Sequence, residues 1–119
     1  MEKKLLHIKC LYETVLEITA NFLNNFDEES AEETFKKRTA LLSLIATEED
    51  ALKEQYGTLL KAKFPRIINE IANKINAIIT MDKQIAGKFR EKMASIKSEL
   101  SGLFTNSHAV AAYSFHQKR

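Results

Sequence analysis

The sequence predicts an all-α fold formed by a single domain over residues 1–119, and three observations support this prediction. The length of 119 residues is that of one typical domain. Hydrophobic residues make up 45% of the chain and charged residues 29%, a mixture that can form a packed core. Three Gly and one Pro are too few for a sandwich or barrel, whose turns recur every ~8 to 12 residues.

A first helix is predicted over about residues 3–26. Apolar side chains recur there at intervals of three and four residues, a coiled-coil-like stripe that only Thr19 interrupts. The stripe consists of Leu5, Ile8, Tyr12, Val15, Phe22 and Phe26.

A second helix is predicted over about residues 31–60. Ser30 and Glu33 have the spacing of a capping box, so we expect the helix to begin there. Arg38 and Glu49 occupy two positions of its stripe, and Gly57 is expected to fray or kink its last turn. The apolar positions of the stripe are Ala31, Phe35, Leu42, Ile45, Leu52, Tyr56 and Leu59.

A third helix is predicted over about residues 65–104, because Pro65 suits a first helical turn and few breakers follow it. Its seam includes Asp82 among apolar positions that run from Ile68 to Leu103. A second row repeats every seven residues beside the seam, which predicts a face wide enough to contact two neighbours. This row consists of Ala72, Ile79, Ala86 and Met93.

These elements predict an elongated antiparallel three-helix bundle with a long third helix and a short C-terminal segment, residues 105–119. The positions expected in its core are Phe35, Leu42, Ile45, Ile71, Ile75, Ile78, Ile85 and Phe89.

The sequence contains no recognisable catalytic, cofactor or metal motif. None of His7, His108 and His116 has a Glu three residues before it, as a di-iron bundle requires. Cys10 is the only cysteine, so a zinc site would lack its thiolate partner, and we expect Cys10 to be a small core residue. Because no phosphate-binding loop or activated nucleophile is present either, the sequence predicts no enzyme, cofactor or metal.

Charge is distributed unevenly along the chain. Residues 1–60 contain seven basic and twelve acidic residues, and residues 61–119 contain eleven basic and four acidic ones. The basic half indicates either an acidic partner or basic groups that complement a helix dipole and the acidic half. Nucleic acid is not predicted, because the pI of 8.6 lies below ~9 and no binding motif accompanies it.

The N-terminal residues offer no uninterrupted apolar core of a signal peptide, since His7 and Lys9 interrupt it after Leu5 and Leu6. No stretch approaches the ~18 apolar residues of a membrane helix. We therefore expect a cytoplasmic protein without membrane insertion.

Three groups of residues occur in the order and at roughly the spacing seen in small flagellar type III export chaperones. They are Arg38, Leu41, Leu42, Leu44 and Ile45 on the second helix, Ile78, Ile79, Asp82 and Ile85 on the third, and Ala112, Tyr113 and Ser114 near the end. Over most of its length the sequence resembles the filament-cap chaperone family (FliT-like).

The resemblance implies a function and a set of partners. It implies a cytoplasmic chaperone that holds the C-terminal helical segment of the filament-cap protein and delivers it to the export ATPase and the export gate. Tyr113 matches the family's gate-docking tyrosine; packing on the end of the bundle is the other interpretation of this residue. The row beside the seam predicts a partly open apolar groove for this cargo, bordered by Ile79, Met93, Leu100 and Phe104.

Two alternatives remain at the level of the sequence. A chaperone for the hook-junction proteins of the same export system would bind a different cargo but have the same fold and the same mode of binding. A structural coiled-coil homodimer would also account for the wide face of the third helix, because its row from Ala72 to Met93 can meet a second copy.

Overall fold

The computed structural model describes residues 2–105, and the side chains of residues 2–103. Its helices are α1 (Glu2–Asn24), α2 (Glu28–Tyr56), α3 (Leu59–Lys63) and α4 (Pro65–Thr105). No strand occurs in this part of the chain, so the predicted all-α class is confirmed. The chain divides into two compact units, Met1–Gln84 and Ile85–Arg119, and α4 contributes residues to both.

The first helix of the structure confirms the predicted stripe from Leu5 to Phe22, but it ends at Asn24, so the predicted member Phe26 lies beyond the helix and is half-buried. Its buried residues are Leu5, Ile8, Tyr12, Val15, Thr19 and Phe22. Thr19, the polar interruption, is fully buried, and its hydroxyl donates to the carbonyl oxygen of Val15 at 2.7 Å. A threonine can occupy an apolar stripe in this way because its own helix satisfies the hydroxyl.

The start of α2 differs from the predicted capping box. Asp27 is the N-cap, with extended backbone angles, and its Oδ1 accepts a hydrogen bond from the amide of Glu29 at 3.1 Å. The Ser30 hydroxyl instead donates to the carbonyl oxygen of Asp27 at 3.0 Å. The helix therefore begins at Glu28, because an Asp N-cap already satisfies a free amide of the first turn.

Replacing the N-cap provides a direct test of this assignment. We expect Asp27→Ala to lower the free energy of unfolding by ~0.5 to 2 kcal/mol, because an amide of the first turn loses its acceptor. Ser30→Ala is the matched control and should have a smaller effect, since Ser30 caps no amide here. Urea denaturation measures both variants, and a larger effect at Ser30 would restore the capping box.

The end of α2 and the turn into α4 depend on Gly57. Gly57 adopts φ 55° and ψ −132°, which side chains with a Cβ rarely adopt, and its amide donates to the Lys53 carbonyl at 2.8 Å. The helix thus ends at Tyr56, earlier than predicted, and α3 follows as a separate short helix. Leu60 of α3 is buried while the predicted Leu59 is 56% exposed. Pro65 begins α4, as predicted.

The core of the first unit is built by residues of all four helices. Its buried members are Leu5, Ile8, Tyr12, Val15, Ile45, Leu52, Leu60, Ile71 and Ile78. Tyr56, Phe64, Ile67, Ile68 and Ile75, with Leu11, Leu16 and Leu41, pack against them while remaining partly exposed.

Four of the eight predicted core residues are buried: Ile45, Ile71, Ile78 and Ile85. Phe35, Ile75 and Phe89 are half-buried, and the prediction for Leu42 is wrong because its side chain is 38% exposed. The buried face of α2 passes through Arg38, Ile45 and Leu52, with Leu41 packed beside them. Leu42 lies about 100° around the helix from Leu41, which turns it toward solvent. Cys10, expected in the core, is exposed.

Candidate functional site

Polar side chains within the buried faces pair with one another. Arg38 of α2 donates from Nη2 to Oδ2 of Asp82 on α4 at 2.9 Å, and its guanidinium carbon lies 5.5 Å from the centre of the Phe35 ring. The Arg38 side chain is 9% exposed and that of Asp82 is 42% exposed. Nε of Arg38 and Oδ1 of Asp82 are buried without a hydrogen-bond partner. The Arg38 side chain is thus held in the core, and the Asp82 side chain is partly exposed although its Oδ1 is buried.

A second pair joins α1 to α2, where the Tyr12 hydroxyl donates to Oε1 of Glu49. Burial and this hydrogen bond raise the pKa of Tyr12 above its ordinary value of 10. Glu48, the next residue on α2, lies 3.3 Å from Nε2 of His7. Glu48 and Glu49 of the acidic run therefore each contact a side chain of α1.

The raised pKa of Tyr12 predicts a change in stability at alkaline pH. A phenol with a higher pKa in the folded state stabilises the fold fully below pH ~10, and this contribution is lost as pH rises above that value. We expect Tyr12→Phe to lower stability at neutral pH by ~1 kcal/mol and to reduce the further loss above pH ~10. Urea denaturation between pH 7 and 11 measures this, and an unchanged alkaline slope would contradict it.

Lys9 must be controlled for in that experiment. Its Nζ lies 2.5 Å from Oε2 of Glu70 on α4, and this hydrogen bond raises the pKa of Lys9 and lowers that of Glu70. Because Lys9 also titrates in the alkaline range, Lys9→Gln should be measured alongside Tyr12→Phe. Lys74 of α4 and Glu13 of α1, 3.4 Å apart, form a second ion pair between these two helices.

An apolar cavity of about 210 Å³ lies in the first unit, among side chains that include Leu5, Ile8, Leu52, Leu60 and Ile71. Ligand pockets typically measure ~300 to 1,000 Å³. The cavity is smaller than these and is lined by the core itself, so it does not define the site. Among residues 2–103, no group of three or more His, Cys, Asp or Glu side chains is arranged to hold a metal ion.

The second unit presents an exposed apolar surface on α4. Every residue from 91 to 103 is exposed, yet apolar side chains continue there at helical spacing. We call the following four residues the α4 stripe: Met93 (66% exposed), Ile96 (39%), Leu100 (37%) and Leu103 (70%). They follow one another at intervals of three and four residues, so they share one face of the helix. This face has the pattern of one half of a helix pair.

The predicted cargo residues are distributed over both units. Ile79, in the first unit, is 47% exposed, and Met93 and Leu100 belong to the α4 stripe of the second. The side chain of Phe104 and the whole of Tyr113 lie outside the described residues. The groove and the gate-docking residue therefore stay predictions. Sequence reasoning assigned Ile96 and Leu103 to a packed seam, because periodicity identifies a face without saying whether another helix covers it.

Comparisons with known proteins found no relative of this chain. No protein-family profile, curated protein or solved structure matches the chain. In the part of the chain that the structure describes, no helix combines the length and apolar character needed to span a bilayer.

Proposed function

We propose that this chain is a cytoplasmic chaperone of the flagellar type III export system. It binds the C-terminal helical segment of the filament-cap protein and delivers it to the export ATPase and the export gate. The observation that carries the proposal is the α4 stripe, whose four apolar side chains are between 37% and 70% exposed. An amphipathic helix whose apolar residues recur at the same spacing can cover such a surface by non-covalent contact alone.

The resemblance of the sequence to filament-cap chaperones supplies the identity of the cargo, and an elongated antiparallel three-helix bundle is part of the proposal. Its support is the core shared by the helices of the first unit and the ion pairs that join α4 to α1 and α2. In this proposal Ile79 and Phe104 extend the cargo surface, and Tyr113 docks on the export gate.

The test is binding of the full chain to a synthetic peptide that spans the C-terminal helical segment of a filament-cap protein. Leu100→Glu should reduce binding by at least about tenfold, because a carboxylate replaces an apolar anchor at the centre of the interface. Ser98→Glu is the matched control, since it adds the same charge on the opposite face of the same exposed helical segment. It should change the affinity less than about twofold.

Other outcomes distinguish the alternatives. Binding of hook-junction protein segments in place of the cap segment would identify the cargo as the hook-junction proteins. Failure of both cargoes to bind would contradict an export chaperone.

A structural homodimer is the second candidate, because the α4 stripe has the pattern of a coiled-coil half. Sedimentation equilibrium measures it directly. A dimer that Leu100→Glu dissociates and Ser98→Glu leaves intact would favour this candidate over cargo binding.

A further inference from the structure

The charged side chains that flank the α4 stripe determine which kind of helix can bind to it. Taking Met93 and Leu100 as heptad positions a and Ile96 and Leu103 as positions d, the charged e positions are Arg90 and Lys97, and Phe104 is the next e position. The g positions are Lys92 and Glu99. Arg90 and Lys97 form no ion pair with the described residues, so both charged side chains of this edge are basic and open to a partner.

We propose that the α4 stripe binds an amphipathic helix whose edge carries Asp or Glu residues opposite Arg90 and Lys97. This inference rests on the proposed function of the stripe as a helix-binding surface and specifies the chemistry of the partner. The apolar anchors span residues 93–103, about three turns or ~15 Å of helix, so the partner requires a segment of similar length.

A second copy of the chain does not meet this requirement. In a parallel pair, position g faces position e of the following heptad, which places Lys92 of one copy opposite Lys97 of the other. In an antiparallel pair, e faces e, so Arg90 and Lys97 meet Arg90, Lys97 or Phe104 of the other copy and no acidic side chain. Lys92 and Glu99 would attract in that arrangement, but the e edge would remain uncompensated. Like charges at facing positions destabilise a helix pair.

The C-terminal residues of the chain do not meet it either. Residues 106–119 contain Lys118 and Arg119 and no Asp or Glu. They contribute no acidic side chain to neutralise the e edge. The charge pattern therefore favours an external acidic helix over both occupants that the chain itself supplies.

Two synthetic amphipathic peptides of about 18 residues test the inference against the full chain. Both present the same leucine stripe, and one carries Glu while the other carries Lys at the edge positions. We expect the Glu peptide to bind at least about tenfold more tightly at low salt, and the ratio to fall toward one at ~0.5 M salt, because exposed charges are then screened. Fluorescence anisotropy measures both affinities.

Matched variants separate a local edge effect from a general charge effect. Arg90→Gln with Lys97→Gln removes two positive charges from the edge. Gln84→Glu with Ser98→Glu changes the net charge equally at two exposed f positions, which lie three or four residues from neither Arg90 nor Lys97. The first variant should weaken binding of the Glu peptide by roughly three- to tenfold at low salt, and the second by less than about twofold. Equal affinity for the two peptides, equal loss in the two variants, or binding of neither peptide would overturn the inference.

The same measurements keep this inference distinct from the proposed function. Binding of the Glu peptide without binding of a filament-cap segment would support the charge selection and contradict the choice of cargo. Binding of a cap segment that is insensitive to the Gln variant would support the cargo and overturn the acidic edge. A dimer dissociated by Leu100→Glu would show a second copy on the stripe and would also overturn the inference.

Discussion

Ile78→Ala is expected to lower the free energy of unfolding by ~2 to 5 kcal/mol, among the largest effects of any single truncation in this chain. Ile78 is 7% exposed and belongs to the core that α4 shares with the other helices of the first unit. Removing three carbon atoms from this position forfeits their transfer from water and leaves a cavity that a close-packed core fills only in part. Urea denaturation at neutral pH measures the effect. The dependence of the unfolding free energy on urea concentration should be the same in both proteins if unfolding is two-state.

The neighbouring isoleucine is a control that differs only in position. Ile79 is 47% exposed, so Ile79→Ala removes the same atoms from the surface and should change stability by about 0.5 kcal/mol. The two variants have the same composition and the same helix propensity, which leaves burial as the only difference. Similar losses from both would mean that the face of α4 turned toward the core is wrongly assigned.

The face that each helix buries was predictable where the apolar pattern is dense. On α1 the three-and-four spacing identified Leu5, Ile8, Tyr12, Val15 and Phe22, all of which are buried. On α2 the predicted stripe correctly included Arg38, Ile45 and Leu52, which are buried, but its member Leu42 is exposed and Leu41 packs against the core in its place. A stripe with polar members has a weak period, so a shift of one residue goes unnoticed.

Helix boundaries failed for a related reason. Asp27 and Ser30 are both good N-cap residues, and the sequence alone does not decide between them. The capping-box pattern favoured Ser30, whereas the extended backbone at Asp27 permits its carboxylate to reach the Glu29 amide. Pro65 offered no such choice, since a proline has no amide to cap, and its predicted position at the start of a helix is confirmed.

The candidate site was predictable in part. The sequence shows that Met93, Ile96, Leu100 and Leu103 share a face; it predicted a partly open groove that Met93 and Leu100 border, and it placed Ile96 and Leu103 in the seam. α4 has 41 residues, ~60 Å of helix, whereas α1 has 23 and spans ~35 Å. Periodicity records which side chains share a face, and only coordinates reveal that this segment of α4 is exposed.

The polar positions within the stripes were visible in the sequence, and their pairing was not. Arg38 on the second helix and Asp82 on the third each interrupt an apolar pattern, and the structure brings them to 2.9 Å. A buried charge is costly unless an opposite charge accompanies it, so two such interruptions are expected to meet. The two partners differ in exposure, and this difference leads to an unequal response to mutation.

Asp82→Ala should therefore be more destabilising than removal of its partner. Loss of the carboxylate leaves the Arg38 guanidinium in a site where the side chain is only 9% exposed and Nε already lacks a hydrogen-bond partner. Breaking a fully buried ion pair in this way costs ~3 to 5 kcal/mol. Because the Asp82 side chain is 42% exposed, the pair is not fully buried, and we expect about 2 to 3 kcal/mol here.

Arg38→Met should cost less, about 1 kcal/mol, because Met retains most of the buried stem and the Asp82 side chain that remains is 42% exposed, whereas that of Arg38 is 9% exposed. The double variant Arg38→Met with Asp82→Leu removes both charges and should be more stable than Asp82→Ala, since no buried charge then remains without a partner. A double-mutant cycle by urea denaturation measures the coupling between the two positions. A greater loss from Arg38→Met than from Asp82→Ala would show that the pair stabilises the fold through the contact of Arg38 with the Phe35 ring, and not by neutralising a buried charge.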